Sequence, residues 1–91
     1  MGVRENKVEK YLDSQVVKLG GLTRKWTSPG RDGVPDRIVI VKGKVWFVEV
    51  KTVVGVLSEA QKREHTRLID AGANVVTVRG NKGVEEFISC I

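Results

Sequence analysis

Two stretches of apolar and β-branched residues, IVIV at 38–41 and VWFV at 45–48, flank the pair Lys42-Gly43. Residues of this kind fit the pleated surface of a strand. A two-residue break containing glycine is a hairpin signal. Strands are therefore expected over residues 36–41 and 44–51. Neither run alternates apolar with polar residues. Strands that are apolar on both sides are central ones, covered on both faces. The chain is thus expected to build a sheet around this hairpin and to supply helices for both of its faces.

The flanking sequence supplies them. Over residues 4–19, Val8, Tyr11, Leu12, Val16 and Leu19 recur at helical steps, and Gly20-Gly21 stops the helix. LTRKWT at 22–27 reads as a strand, with Leu22, Arg24 and Trp26 on one side. SPGRDG at 28–33 is a loop of turn formers. After the connector TVVGVL, Ser58 opens a second helix that ends at Gly72. Ser58 followed three residues later by Gln61 fits a capping box. NVVTV at 74–78 is a further buried strand, residues 79–82 a turn, and residues 83–91 a last helix with Val84, Phe87, Ile88 and Ile91 inward. The order is αβββαβα, a single α/β domain over residues 1–91.

The chain has 91 residues, 16 basic and 11 acidic, for a formal charge of +5. That balance favours a polyanionic partner, nucleic acid first. No apolar run is long enough to span a bilayer, so no membrane is implied. The charged start MGVRENKVEKYL has no secretory pattern, and Asn6 breaks the myristoylation motif. Cys90 is the only cysteine, which excludes an internal disulfide or zinc cluster and makes a reducing, cytoplasmic setting the default.

The charges at the end of the hairpin are harder to accommodate. Glu49 and Lys51 share a face of their strand. With a two-residue turn, Val41 faces Lys44 and Asp36 lies opposite Glu49. With a three-residue turn, Asp36 lies opposite Val50, one step away. Either way two acids and one lysine meet at one end of a buried hairpin. Facing carboxylates repel, and burying an unpaired charge costs several kcal/mol. Lys51 neutralises one acid only. A hard divalent cation, Mg²⁺ or Mn²⁺, would neutralise the other. The plainer alternative is a surface ion pair between Glu49 and Lys51, with Asp36 capping the preceding loop. Pro35 favours the first reading, because it aims Asp36 rigidly.

Gly33-Val34-Pro35-Asp36 followed by Glu49-Val50-Lys51 resembles the PD-(D/E)XK nuclease motif. The form GVPD, the stretch KWTSPGRDGVPDR and the downstream Gln61 are similar to the virus-type replication-repair nuclease (VRR-NUC) domain, over essentially the whole chain. The resemblance implies a restriction-endonuclease-like fold, a mixed central sheet flanked by helices. It also implies a metal-dependent, structure-specific DNA endonuclease, Holliday-junction resolvase-like and homodimeric. A phage-encoded protein inside a bacterial host is compatible with it. Asp36, Glu49 and the carbonyl of Val50 would hold Mg²⁺ or Mn²⁺. Glu9, ahead of Glu5, would reach the same site from the first helix. Lys51 would stand beside the attacking water, to orient it, deprotonate it or stabilise charge on the phosphate. Gln61 would lie beside the site, in competition with its capping role. Arg24, Lys25, Ser28, Arg31 and Arg37 around the loop, and Lys62 on the second helix, are candidate DNA contacts. Arg63 and Arg67 share the second helix with them. His65 is expected to be structural or exposed, Cys90 to lie in the core, and Trp26 and Trp46 to pack rather than stack on bases. The alternatives to an enzyme are a non-catalytic basic nucleic-acid-binding module and a subunit of a larger assembly.

Overall fold

The computed structural model describes residues 5–91, so the expected helix start at Arg4 lies outside the described residues. The elements are α1 (Glu5–Lys18), β1 (Leu22–Lys25), β2 (Arg37–Val41), β3 (Lys44–Lys51), α2 (Glu59–Asp70), β4 (Asn74–Arg79) and α3 (Gly80–Cys90). They form one mixed four-stranded sheet in the order β1-β2-β3-β4. The β1–β2 and β2–β3 pairs are antiparallel, and β3–β4 is parallel. The αβββαβα order and the mixed sheet agree with the sequence.

The hairpin turn fixes the register. Lys42 (φ 52°) and Gly43 (φ 78°) both occupy the left-handed region, the two-residue turn whose twist matches its flanking strands. Val41 therefore pairs with Lys44, and Arg37 with Val48. Continued by one residue, this register brings Asp36 opposite Glu49, as the two-residue turn requires.

Alternate residues of the strands point to opposite faces. One face carries Val39, Val41, Val48, Val50 and Val78. These join Val8, Leu12 and Val16 of α1 and Val84 and Phe87 of α3 in a single buried core. Trp46 packs edge-on against Phe87 (5.5 Å) at the margin of that core. The opposite face carries Ile38, Ile40, Phe47 and Glu49, with the Trp26 ring packed at a tilt against Phe47 (centroids 5.0 Å apart, planes at 47°). Among the described residues it has one helix, α2, on the β4 side. Full cover of both faces is therefore not realised. Leu22, Ile40 and Val45 are aligned across three strands and stay 45 %, 39 % and 42 % exposed, because a single helix cannot span four strands.

Three further expectations change. Leu19 falls beyond the end of α1 and is exposed. The last helix begins at Gly80, not Gly83, so residues expected to turn form its first turn. A Cβ at Gly83 would stand 3.2 Å from the Val78 backbone. Close packing of helix on strand here outweighs the turn preference of the glycines. Cys90 is exposed rather than in the core, because the inward stripe of α3 runs through Val84, Phe87, Ile88 and Ile91 and leaves position 90 on its flank.

Candidate functional site

Asp36 is the residue immediately before β2. Pro35 ahead of it is fully buried. The Trp26 amide donates to the Asp36 carbonyl (3.0 Å), and the Val50 amide donates to Asp36 Oδ2 (2.8 Å). Where the β2–β3 ladder ends, the carboxylate replaces a backbone acceptor and its direction is fixed. The loop before it docks on α2. A Cβ at Gly33 (φ 89°) would lie 2.4 Å from the Ala60 carbonyl oxygen, so only glycine allows this approach.

Glu49 is 1 % exposed, although its side chain ends in a carboxyl group, and it lies between the core residues Val48 and Val50. The first turns of α2 grip it. Gln61 Nε2 donates to Glu49 Oε2 (3.3 Å), and His65 Nε2 stands 3.3 Å from Oε1. Gln61 also completes the capping box: its Oε1 accepts from the Ser58 amide (2.9 Å), and its own amide donates to Ser58 Oγ (3.1 Å). The two roles expected to compete for Gln61 are thus filled by opposite ends of one amide. Burial, and then the neighbouring Asp36 carboxyl, push Glu49 up to about 8, with Lys51 opposing. Burial lowers His65, so the imidazole favours its neutral form. Lys51 Nζ lies 4.0 Å from both Glu49 Oε2 and Glu5 Oε1, with its side chain 12 % exposed.

Both acidic residues expected from α1 face this cluster. Glu5 meets Lys51. Glu9 is half-buried. Burial raises its pKa and the Asp36 charge adds to that, while Lys25 and Arg37 pull it down. Its Oε1 is buried without a hydrogen-bond partner. Among the described residues, no group of three or more His, Cys, Asp or Glu side chains is gathered tightly enough to hold a metal ion by itself. A buried Glu49 whose pKa is raised by burial and by the facing Asp36, beside a Glu9 oxygen that has no hydrogen-bond partner among the described residues, nevertheless suits a hard divalent ion whose other ligands are backbone carbonyl and water.

The expected basic residues divide into two sets. Arg24 and Lys25 are exposed on β1, Ser28 and Arg31 are on the loop, and Lys62 is exposed on α2 within 3.3 Å of Glu59. Arg37 is committed elsewhere: its Nη2 donates to Asp13 Oδ2 (2.8 Å) and Thr23 Oγ1 (3.0 Å). Arg31 converges with Arg63 and Arg67 on a polar hollow of about 210 Å³ between the loop and α2. Glu64, 8 % exposed, pairs with Arg67 (3.1 Å) and Arg31 (4.0 Å).

His65 is buried against Glu49, which agrees with a structural histidine and adds a partner that the sequence does not show. Its position one helical turn after Gln61 puts both on one face of α2. Only the structure places that face over Glu49.

A half-buried Asp36 facing a buried Glu49, with a lysine two residues on, at the open end of a hairpin in this mixed sheet, marks a nuclease domain of the PD-(D/E)XK type, and comparison with known proteins agrees. No protein-family model matches the chain. The chain is 46 % identical over 77 residues to "Putative nuclease p44" of Acyrthosiphon pisum secondary endosymbiont phage 1, covering 84 % of this chain and 83 % of that protein. A solved structure described as a VRR_NUC domain superposes with a TM-score of 0.85 at 39 % identity, over 93 % of this chain and 94 % of that one. A second, described as a VRR_NUC domain protein, shares the fold (TM-score 0.76, 17 % identity, 98 % and 88 % covered). The chain belongs to the VRR-NUC nuclease family of that superfamily.

Proposed function

We propose that this protein is a Mg²⁺- or Mn²⁺-dependent endonuclease that hydrolyses phosphodiester bonds in branched DNA, four-way junctions above all, as a pair of identical subunits. The observation that carries the proposal is Glu49, held at 1 % exposure against Asp36 with Lys51 Nζ 4.0 Å away. Folding alone gains nothing from burying Glu49 beside a second carboxyl that raises its pKa further. Such an arrangement has a use when a divalent ion is bound, and superfamily membership implies metal-dependent hydrolysis in general.

Asp36, Glu49, the Val50 carbonyl and Glu9 would hold the ion. A bound divalent ion lowers the pKa of water and polarises a phosphoryl oxygen. Gln61 and His65 keep the Glu49 carboxylate from turning, and Lys51 holds positive charge beside the attacked phosphate. Arg24, Lys25, Ser28, Arg31 and Lys62, with Arg63 and Arg67, would grip the DNA backbone. Arg37, tied to Asp13, adds charge and braces α1 against β2. A four-way junction is two-fold symmetric, so paired cuts fit paired subunits. The phage origin of a relative supports a phage-encoded protein working in the cytoplasm of a bacterial host.

The test is cleavage of a labelled four-way junction with Mg²⁺ or Mn²⁺, with and without EDTA. Cleavage should require the metal. It should fall by about 10²–10⁴-fold in Asp36→Ala or Lys51→Ala. Tight junction binding with no cut strand in either metal would make the protein a basic binding module instead.

A further inference from the structure

β4 is the terminal strand of the sheet, so among the described residues its outer edge lacks a strand partner. Beside it α3 walls an apolar groove of about 520 Å³, whose lining includes Trp46, Val76, Phe87 and Ile91. Val53 lies on the rim of this groove and begins a second apolar feature. Val53, Val54 and Val56 are 75 %, 87 % and 79 % exposed. The first two occupy the centre of a turn closed by the Gly55 amide on the Thr52 carbonyl (3.1 Å), where Gly, Pro, Asn, Asp and Ser are the usual residues. Local conformation does not call for valine here. Arg79 donates to the Gly55 carbonyl and anchors the turn to the edge strand. A bare edge, an apolar groove and an apolar turn thus form one continuous surface of the kind that marks a protein interface.

Its charges say which protein. Lys82 and Glu86 both line the groove. They stand four residues apart on α3, hence on one side of the helix. When two antiparallel helices cross at the turn between these residues, each Lys82 meets the other copy's Glu86, and a two-fold axis makes both pairs at once. A polyanion has no use for the apolar floor, and Glu86 would stand unpaired against it. We infer that the β4–α3 groove, extended by the Val53–Val54 turn, is where a second copy of this chain docks, its α3 antiparallel to this one. The inference deepens the two-subunit reading above and rests on it for the second copy. Because the turn also folds against Lys51 (a Cβ at Gly55 would stand 3.4 Å from Lys51 Cβ and Cδ), the same contact would brace the site.

Sedimentation or light scattering of the protein alone, without DNA or metal, tests this independently of any nuclease activity. Wild type should be a dimer. Lys82→Glu and Glu86→Lys should each weaken dimerisation by at least about tenfold in Kd, with unchanged circular dichroism, and the double variant Lys82→Glu/Glu86→Lys should restore it. Val54→Asp, at a side chain 87 % exposed, should weaken it without affecting folding. Alkylation of Cys90, which also lines the groove, should be slower in the dimer than in the single-swap variants. A wild-type monomer would overturn the inference. So would a dimer indifferent to both swaps, which would move the contact elsewhere, for instance to the Leu22, Ile40 and Val45 row, and so would a double variant that fails to re-form the dimer. An inactive protein that dimerises as described would leave this surface standing and remove the nuclease reading. An active one without this dimer would do the reverse.

Discussion

Val48, Glu49 and Val50 are consecutive on β3 and almost equally inaccessible, at 0 %, 1 % and 1 % exposure. The two valines point into the face covered by α1 and α3, and the glutamate points into the face covered by α2. On the first face, burial stabilises, because it removes hydrocarbon from water. On the second, the same burial costs stability, because it removes a carboxylate from water beside a second one. One strand serves both faces through the two-residue period of its side chains. Equal exposure can therefore mean opposite energetics, and substitutions on the two faces should differ in sign.

The largest stability effect belongs to the α1–α3 face. Leu12 is fully buried in the cluster that includes Val48, Val50 and Val84. Leu12→Ala should destabilise by about 3 kcal/mol, the usual cost of lost transfer energy plus a cavity. Urea unfolding monitored by circular dichroism would read this as a lower midpoint at unchanged slope. A loss well under 1 kcal/mol would mean that this face is not the close-packed core.

The α2 face should respond the other way, with a pH signature. In the unfolded chain Glu49 ionises near its ordinary 4.5, and in the folded protein near about 8. Between these values the native state binds a proton that the unfolded chain has released. Stability from this group is complete below about 4.5 and drains away as pH rises to about 8. Glu49→Gln removes that titration. Without divalent ions, the variant should be more stable than wild type at pH 8 by about 1–2 kcal/mol, and the gap should close toward pH 4.5. Adding Mn²⁺ at pH 8 should raise the melting temperature of wild type and leave that of the variant nearly unmoved. Parallel stability–pH curves for the two proteins would show that Glu49 is not strained.

The same contrast explains what could be read in advance. The valine face was legible because hydrophobic burial leaves a pattern along the chain: helical steps through Val8, Leu12 and Val16, and consecutive apolar residues on β2 and β3. The turn at Lys42-Gly43 carries its own register, so the pairing of Asp36 with Glu49 followed from counting. The capping box at Ser58 and Gln61 is local as well. His65 was not legible, because its partner Glu49 lies 16 positions away and nothing in a lone histidine says which strand its helix covers. The commitment of Arg37 to Asp13, 24 positions away, is hidden for the same reason. So is the bare row of Leu22, Ile40 and Val45: two-sided hydrophobicity suggests two covers, but the number of helices on each face is a property of the assembled sheet. Exposed Cys90 shows the limit of composition, since cysteine is usually buried but a helix flank decides for itself.

The smallest of these effects separates holding a carboxylate from merely filling space. His65 is 6 % exposed, so its removal could act through packing alone. Gln fills much of the imidazole's volume and keeps a donor, whereas Leu fills it without one. With His65 as a positioning residue, His65→Leu should cost about tenfold in cleavage rate at saturating DNA, about 1.4 kcal/mol, while folding stability changes by less than that. His65→Gln should recover most of the rate. The loss should fall on kcat and not on KM, because the contact is to Glu49 and not to DNA. Equal behaviour of the Leu and Gln variants would make His65 one more packed residue. The grip on Glu49 would then rest on Gln61 alone, whose amide is already shared with the cap of α2.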